Sequence, residues 1–395
     1  MTMPDPMPPR LTLPQLFGKF LRFGCLAFGG PVAQIAMIRH ALVEEERWIA
    51  PARFNRLLAV MQILPGPEAH ELCVHMGMMA RGRIGGLLAG LGFMLPGLIL
   101  MLAAGWFYTE WVVSHPATAT ALFGVQIVVL AIILRAVHRI GGHILEDRLL
   151  WALAIASFGA TLLGVPFWIP LAASGLACAL AGRKALAGLV LAIAAVLGWL
   201  LHSPETAGVV TVHANAGPPT ALALFIAGLK GGLLTFGGAY TAIPYLRADT
   251  VGRGWLSDAS FLDGVALAGV LPAPLVIFAT FAGYVAGGPV GALAATAGMF
   301  LPAFAFSMIL FERLEAVVEN PALHHLLNGV AAGVVGIIAA TLVQLGWATA
   351  QRITNLPAAL AIFAGGVAGI WLLKGRWVTP VLVLAAGLAG WVLTP

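Results

Sequence analysis

A twelve-residue stretch of this chain is written twice, as FLRFGCLAFGGP over 20–31 and as GLKGGLLTFGGA over 228–239. Phe28-Gly29-Gly30 returns 208 positions on as Phe236-Gly237-Gly238, each time inside a strongly apolar segment. Paired glycines are poor helix formers, so both segments are predicted to break at this point. Broken backbone inside a membrane is tolerated only where it is buried in protein or lines a cavity. A self-copy at half the chain length, carrying such breaks, is the pattern of a carrier built from two repeats.

The repeat extends well past Phe-Gly-Gly. Arg22 aligns with Lys230, Gly24 with Gly232, Trp48 with Trp255 and Phe54 with Phe261. Pro65-Gly66-Pro67 aligns with Pro272-Ala273-Pro274, Gly85 with Gly291, and Leu95-Pro96 with Leu301-Pro302, while the offset drifts only from 208 to 206. An ordered series of this length excludes coincidence. Composition sets the medium. The chain is 60% hydrophobic and 9% charged, against about 25% charged in a soluble globular domain. The fold class is therefore all-α: a polytopic integral membrane protein with two inverted-topology homologous repeats and broken or re-entrant helices.

Apolar segments fall at about 16–38, 57–80, 84–108, 117–137, 149–163, 166–181 and 185–201, and again at 220–246, 260–286, 289–311, 322–348, 356–373 and 377–393. This divides the chain into a tail (1–15), a first membrane repeat (16–201), a linker (202–219) and a second repeat (220–395). The Pro-rich tail lacks a basic region followed by an apolar core, so it reads as a tail and not as a cleaved signal peptide. Cys25, Cys73 and Cys178 stand far apart with no CxxC pair, which points to neither zinc nor disulfides.

Lys and Arg predict orientation. Arg10, Arg81, Arg83, Arg135, Arg139, Arg148, Arg183 and Lys184 mark cytoplasmic loops, whereas 109–116, 164–165 and 202–219 carry no Lys or Arg. The tail is then cytoplasmic, the linker and C-terminus are external, and the second repeat runs opposite to the first. Segments 16–38 and 57–80 either cross or dip in and return. Pro65-Gly66-Pro67 splits the latter into arms of about ten residues, each reaching about 15 Å, half a bilayer. With Arg39, Arg47, Arg53 and Arg56 between the two segments, the hairpin form is favoured.

The run Gln62-Ile-Leu-Pro-Gly-Pro-Glu-Ala-His-Glu71 is the sharpest local motif. Pro65 and Gly66 end one arm, and Pro67 suits the first turn of the next helix. That helix would aim backbone N–H groups and its positive dipole end at mid-membrane, which is an anion site. Pro272 and Pro274 would do the same from the other copy. Phe28, Gly29 and Gly30, with Phe236, Gly237 and Gly238, would add two more broken ends. A single such turn reads as a packing kink; two symmetric pairs read as a substrate site. Arg22 and Lys230, each six residues before Phe-Gly-Gly, are candidates for substrate attraction or gating, with snorkelling to the interface as the competing reading.

Glu68 and His70 are candidates for proton coupling, because ionisable groups inside membranes often mark proton relays. The competing role for Glu68 is a helix cap. His70-Glu71 with His75 superficially follows HExxH, but the second His comes one position too late, so no metal site is expected. Asp263 occupies the repeat position of Arg56, so the copies differ there. No catalytic triad, phosphate loop or ATP motif is present. Neither an enzyme nor an ATP-driven pump is indicated, and no cofactor is expected.

These residues resemble the chromate transporter family. The matching elements are Phe28-Gly-Gly-Pro31, Arg47-Trp48, the Gln62–Ala69 run, Leu95-Pro96-Gly97, Thr235-Phe-Gly-Gly-Ala-Tyr240, Gly254-Trp-Leu-Ser257 and Asp263-Gly264. They cover about 15–311 and match the long two-domain form. The resemblance implies export of chromate across the bacterial inner membrane and chromate resistance. Ala273 departs from the Pro-Gly-Pro that the family usually shows in the second copy. The implied partners are chromate or a related oxyanion, with sulfate as competitor, and the lipid bilayer; a homodimer is the candidate assembly, and no nucleic acid is implied. Alternatives at this point are a sulfate-type importer or exchanger and a passive anion channel.

Overall fold

The computed structural model describes residues 8–63, 65–202, 217–236, 239–309, 321–375 and 377–393. Gly237 and Gly238, most of the linker and Arg376 lie outside the described residues. Among the described residues every regular element is helical. The first copy contains α1 (Leu13–Cys25), α2 (Gly30–Arg39), α3 (Pro51–Ile63), α4 (Glu68–Phe107), α5 (Pro116–Ile144), α6 (Arg148–Leu162) and α7 (Trp168–Ala179). After α8 (Lys184–Leu201), the second copy contains α9 (Ala221–Leu233), α10 (Ala242–Thr250), α11 (Asp258–Val270), α12 (Phe278–Ile309), α13 (Pro321–Ala350), α14 (Leu356–Leu372) and α15 (Val378–Leu393).

Among the described residues, five stretches are long and apolar enough to cross a membrane: Glu68–Val112, Thr118–Ile144, Lys184–Leu201, Leu275–Ile309 and His324–Ala350. The exterior suits lipid. Ile99, Leu189, Leu293 and Val381 stand exposed, as do Trp106, Trp151, Trp199, Trp347 and Trp391. Large apolar side chains on this scale would be untenable against water. The chain is an all-α polytopic membrane protein, as its composition predicts.

The two longest helices are each folded in two. In α4 the backbone leaves helical geometry at Arg81 and Gly82, with Gly82 at φ 60°, ψ −155°. In α12 the same happens at Gly287 and Gly288, with Gly288 at φ 63°, ψ −159°. That region of backbone space is essentially open to glycine alone. Eight residues of straight helix span about 12 Å, yet a Cβ built on Gly77 would meet the Gly85 carbonyl oxygen at 2.4 Å, and one on Gly283 would meet that of Gly291 at 2.4 Å. The arms 68–80 and 83–107 therefore run antiparallel, as do 278–286 and 289–309.

Each copy opens with a short helix pressed against its hairpin. Gly24 of α1 lies where a Cβ would be 2.4 Å from the Phe93 carbonyl oxygen, and Gly232 of α9 where one would be 2.3 Å from that of Met299. Small residues let membrane helices approach this closely. The long fourth elements then exchange partners: α5 packs on α14 and α15, while α13 packs on α6 and α7. Each copy's last two helices are thus held by the other copy. A buried polar net crosses the same boundary. Asp263 (2% exposed) accepts from Tyr108 and Gln126, each at 2.9 Å, and the Gln126 carbonyl oxygen accepts from Arg352 at 3.0 Å.

Candidate anion site

Four helix breaks come together inside this frame. The first follows Cys25, where Gly29 and Gly30 both take positive φ (89° and 79°) and α2 begins with Gly30-Pro31. The second is the Pro65-Gly66-Pro67 turn, with Gly66 at φ 146°. Pro67 takes the cap position and Glu68 is the first helical residue of α4. The third follows α9 and runs through Thr235 and Phe236. The fourth spans Leu271–Pro274, where α11 gives way to a 3₁₀ turn, Leu275–Ile277, ahead of α12.

The breaks are tied crosswise. Buried Gln34 of α2 donates from Nε2 to the Ala27 carbonyl at 2.9 Å and to the Ala273 carbonyl at 2.8 Å. Gly66 donates its backbone N–H to the Thr235 carbonyl at 2.8 Å. Each copy's Phe-Gly-Gly loop is thus linked to the other copy's Pro-x-Pro turn. Backbone polar groups freed by the breaks find partners across the boundary, which is how broken helices survive in lipid.

A cavity of about 490 Å³ opens beside this junction. Pro31, Glu68, Phe236 and Tyr240 line it from the breaks, Arg139, His143 and Glu146 from α5 and its end, and His324 and Asn328 from α13. The α2 and α4 N-termini supply positive dipole ends, and Arg139 supplies a permanent charge suited to oxyanions. Glu68 (6% exposed) opposes them at the wall. An anion entering here meets Arg139, two histidines, helix ends and the carboxyl groups of Glu68 and Glu146.

The other residues singled out from the sequence are distributed around the junction. Pro65, Gly66, Pro67, Pro272 and Pro274 form the turns themselves. Phe28 packs against Trp377, ring centres 5.0 Å apart and planes tilted by 34°. His70 is fully buried among Phe93, Phe300 and Phe304. Gln62 falls in the last turn of α3, with its side chain outside the described residues. Arg22 lines a separate recess with Lys19, His40, Glu45 and Glu46. Lys230 pairs with Asp249 at 3.2 Å, a carboxylate that Arg253 shares at 3.2 Å.

Sequence reasoning used Arg135 and Arg139 only for orientation and missed His143 and His324. The signal was present: Arg135, Arg139 and His143 recur every fourth residue on one face of an apolar helix. Arg135 bonds the Ile370 carbonyl, and the two further along face the cavity.

A junction of broken helices around a charged cavity, in a helical membrane protein built from two copies, defines a transport protein. The comparisons make it particular. The family model for the chromate transporter matches residues 14–183 and again 222–391; the chain belongs to the chromate transporter family. It is 56% identical to a chromate transport protein of Pseudomonas aeruginosa over 99% of this chain and 95% of that one. Identity to a chromate transport protein of Cupriavidus metallidurans is 30% over 98% and 94% of the two chains. For a probable chromate transport protein of Synechococcus elongatus it is 29% over 97% and 96%. No solved structure matches the chain.

Proposed function

We propose that this chain exports chromate from the cytoplasm across the bacterial inner membrane by alternating access, and that the anion binds in the cavity at the four breaks. The observation that carries the reading is the crosswise linkage of Gly66 to Thr235 and of Gln34 to Ala273. Rocking one copy against the other must strain or exchange those bonds beside the anion. Arg139, His143 and His324 fall on the side that the Lys and Arg pattern assigns to the cytoplasm, so the cavity is the inward-facing mouth. The copies lie inverted. Helix α8 falls between the two family matches, and a single crossing there turns the second copy over.

Export of a dianion from a negative-inside cell runs with the potential. At about 2.3 kcal/mol per charge per 100 mV, two charges gain about 4.6 kcal/mol, enough for a gradient on the order of a thousandfold. Protons modulate this through Glu68 and His70. An ionised Glu68 beside the anion repels it, so proton and anion binding are linked. The test is radiolabelled chromate flux in inverted vesicles, with potential and pH gradient set separately and sulfate added as competitor. Potential-driven uptake into inverted vesicles is expected, and Glu68→Gln should flatten its pH dependence while keeping the electrical component. Flux that never saturates indicates a channel. Uptake only with the opposite polarity indicates an importer.

A further inference from the structure

The Pro-Gly-Pro turn holds a second carboxyl group, deeper than Glu68. Glu71 lies one turn further along α4 and is 1% exposed. Neither of its carboxyl oxygens has a hydrogen-bond partner. Its side chain folds back on the turn, so that a Cβ at Gly66 would stand 2.2 Å from Oε1. The missing side chain at Gly66, whose φ of 146° suits glycine, leaves the space that this carboxyl group occupies.

The other copy shows that the fold does not need a carboxyl group there. Pro67 aligns with Pro274 and, one residue shorter, Gly77 with Gly283, so Glu71 falls opposite Ile277 or Phe278, both of them buried hydrocarbon. Phe278 is 1% exposed and packs edge-on against Phe261, ring centres 5.6 Å apart. The architecture fills the position with hydrocarbon when no chemistry is asked of it. A buried carboxylate lacking both a cation and a hydrogen-bond donor is costly, and the neutral acid far less so.

The groups facing Glu71 make a charge no easier to hold. Glu68, one turn back, has the same sign. His70 lies beside it on α4 and points among aromatic rings, and Cys73 is the next thiol along. Further on is His75, within the field of Arg53 of α3. The second arm of α12 brings Ala303 to Gly66 and Ser307 Oγ to 3.5 Å from the Glu71 backbone carbonyl. The loop after α9 brings Thr235. Arg139, His143 and His324 face Glu68 across the cavity.

We propose that Glu71 is the proton-carrying residue of this transporter, loaded in the conformation seen here and emptied when the Pro-Gly-Pro turn moves away from it. This rests on the transport reading above: Glu68 at the cavity wall tunes anion binding, and Glu71 behind it carries the transported proton. On release the Glu71 O–H bond breaks, the proton passes to water in the cavity past Glu68, and the carboxylate left behind gains solvent. A dianion at the four breaks favours the loaded form, because a second negative charge at Gly66 would repel it.

Two measurements on the full-length protein test this. The first is an infrared titration of the purified protein without any anion, following the carbonyl stretch of a protonated carboxyl group. The band should be present in wild type and lost in Glu71→Gln. The second is chromate distribution across reconstituted vesicles at zero potential with an imposed pH gradient. Wild type should shift the distribution about tenfold per pH unit for each coupled proton, and Glu71→Gln should not respond. Glu71→Leu, which restores the hydrocarbon character of the second copy, should show the same two losses. An unchanged infrared band in both variants, or a wild-type gradient response in either, overturns the proposal. Failure of wild type to move chromate at all would overturn the transport reading alone, since the titration contains no chromate.

Discussion

The two Pro-x-Pro turns are built alike and equipped differently. Each ends one short helix and starts a glycine-hinged hairpin, and the hinges share nearly the same backbone angles. In the first copy the turn is followed by Glu68, His70, Glu71 and His75. In the second, the corresponding stretch, 275–282, holds no ionisable residue. The cations differ in the same way. Arg139 of α5 lines the cavity, whereas its counterpart in α13 is Gln344. Gln344 accepts from Arg247 at 3.0 Å, and Arg247 is closed in a bidentate pair with Asp258 at 2.7 and 3.0 Å. The second copy keeps the scaffold and packs it with hydrocarbon or spent charges. The first copy places ionisable groups at the junction. Duplication supplies the frame, and divergence of a handful of positions concentrates ionisable groups behind the turn of one half.

The comparison breaks most visibly at the turn residue itself. Gly66→Ala puts a side chain into the space of the Glu71 carboxyl group and onto a backbone geometry that favours glycine. Chromate flux in vesicles should fall by about fivefold or more, with protein still in the membrane, as strain of about 1–3 kcal/mol implies. Ala273→Gly, the matching change in the second copy, removes one methyl group and should leave flux within about twofold. Equal losses from the two changes would mean that the turns do the same work.

Stability sharpens the contrast with a smaller effect. Phe278→Glu gives the second copy the carboxyl group that the first one has, in a site built for a ring. It should destabilise the protein by about 3 kcal/mol, read as a lower unfolding temperature in detergent. Glu71→Leu should be neutral or stabilising by about 1 kcal/mol, because it removes a buried polar group that has no partner. A loss of stability in Glu71→Leu comparable to that of Phe278→Glu would make Glu71 part of the structural core.

Much of the frame was legible in the sequence because helix breaks are written in local chemistry. Gly29-Gly30, Pro65-Gly66-Pro67 and Pro272-Ala273-Pro274 announce themselves wherever the chain folds, and a 208-residue offset pairs them. Their meeting point was legible too, since only protein or a cavity can shelter such backbone. The side chains around it were less so. Whether a charge within an apolar segment faces the site depends on which helix covers it, and the exchange of α5 and α13 between the copies is a tertiary event with no local signal. Arg22 and Lys230 stood out by symmetry, yet one lines an outer recess and the other pairs with Asp249. Arg139 stood on an unremarkable basic helix end and came to the cavity. Glu71 was hidden by its neighbours, because nothing in Pro-Glu-Ala-His-Glu says which carboxyl group turns inward.

The central claim is that the first copy's charges at the four breaks bind the anion. The most direct measurement is equilibrium binding of radiolabelled chromate to purified wild type, Arg139→Gln, Arg22→Gln and Lys230→Gln, without a membrane potential. Loss of a charge-assisted contact worth about 1.5–3 kcal/mol should weaken binding to Arg139→Gln by about tenfold or more. On the reading of attraction or gating, Arg22→Gln and Lys230→Gln should lower flux modestly and keep binding within about twofold. Wild-type affinity in Arg139→Gln, with the loss falling on Arg22→Gln or Lys230→Gln instead, would contradict the account and move the site away from this cavity.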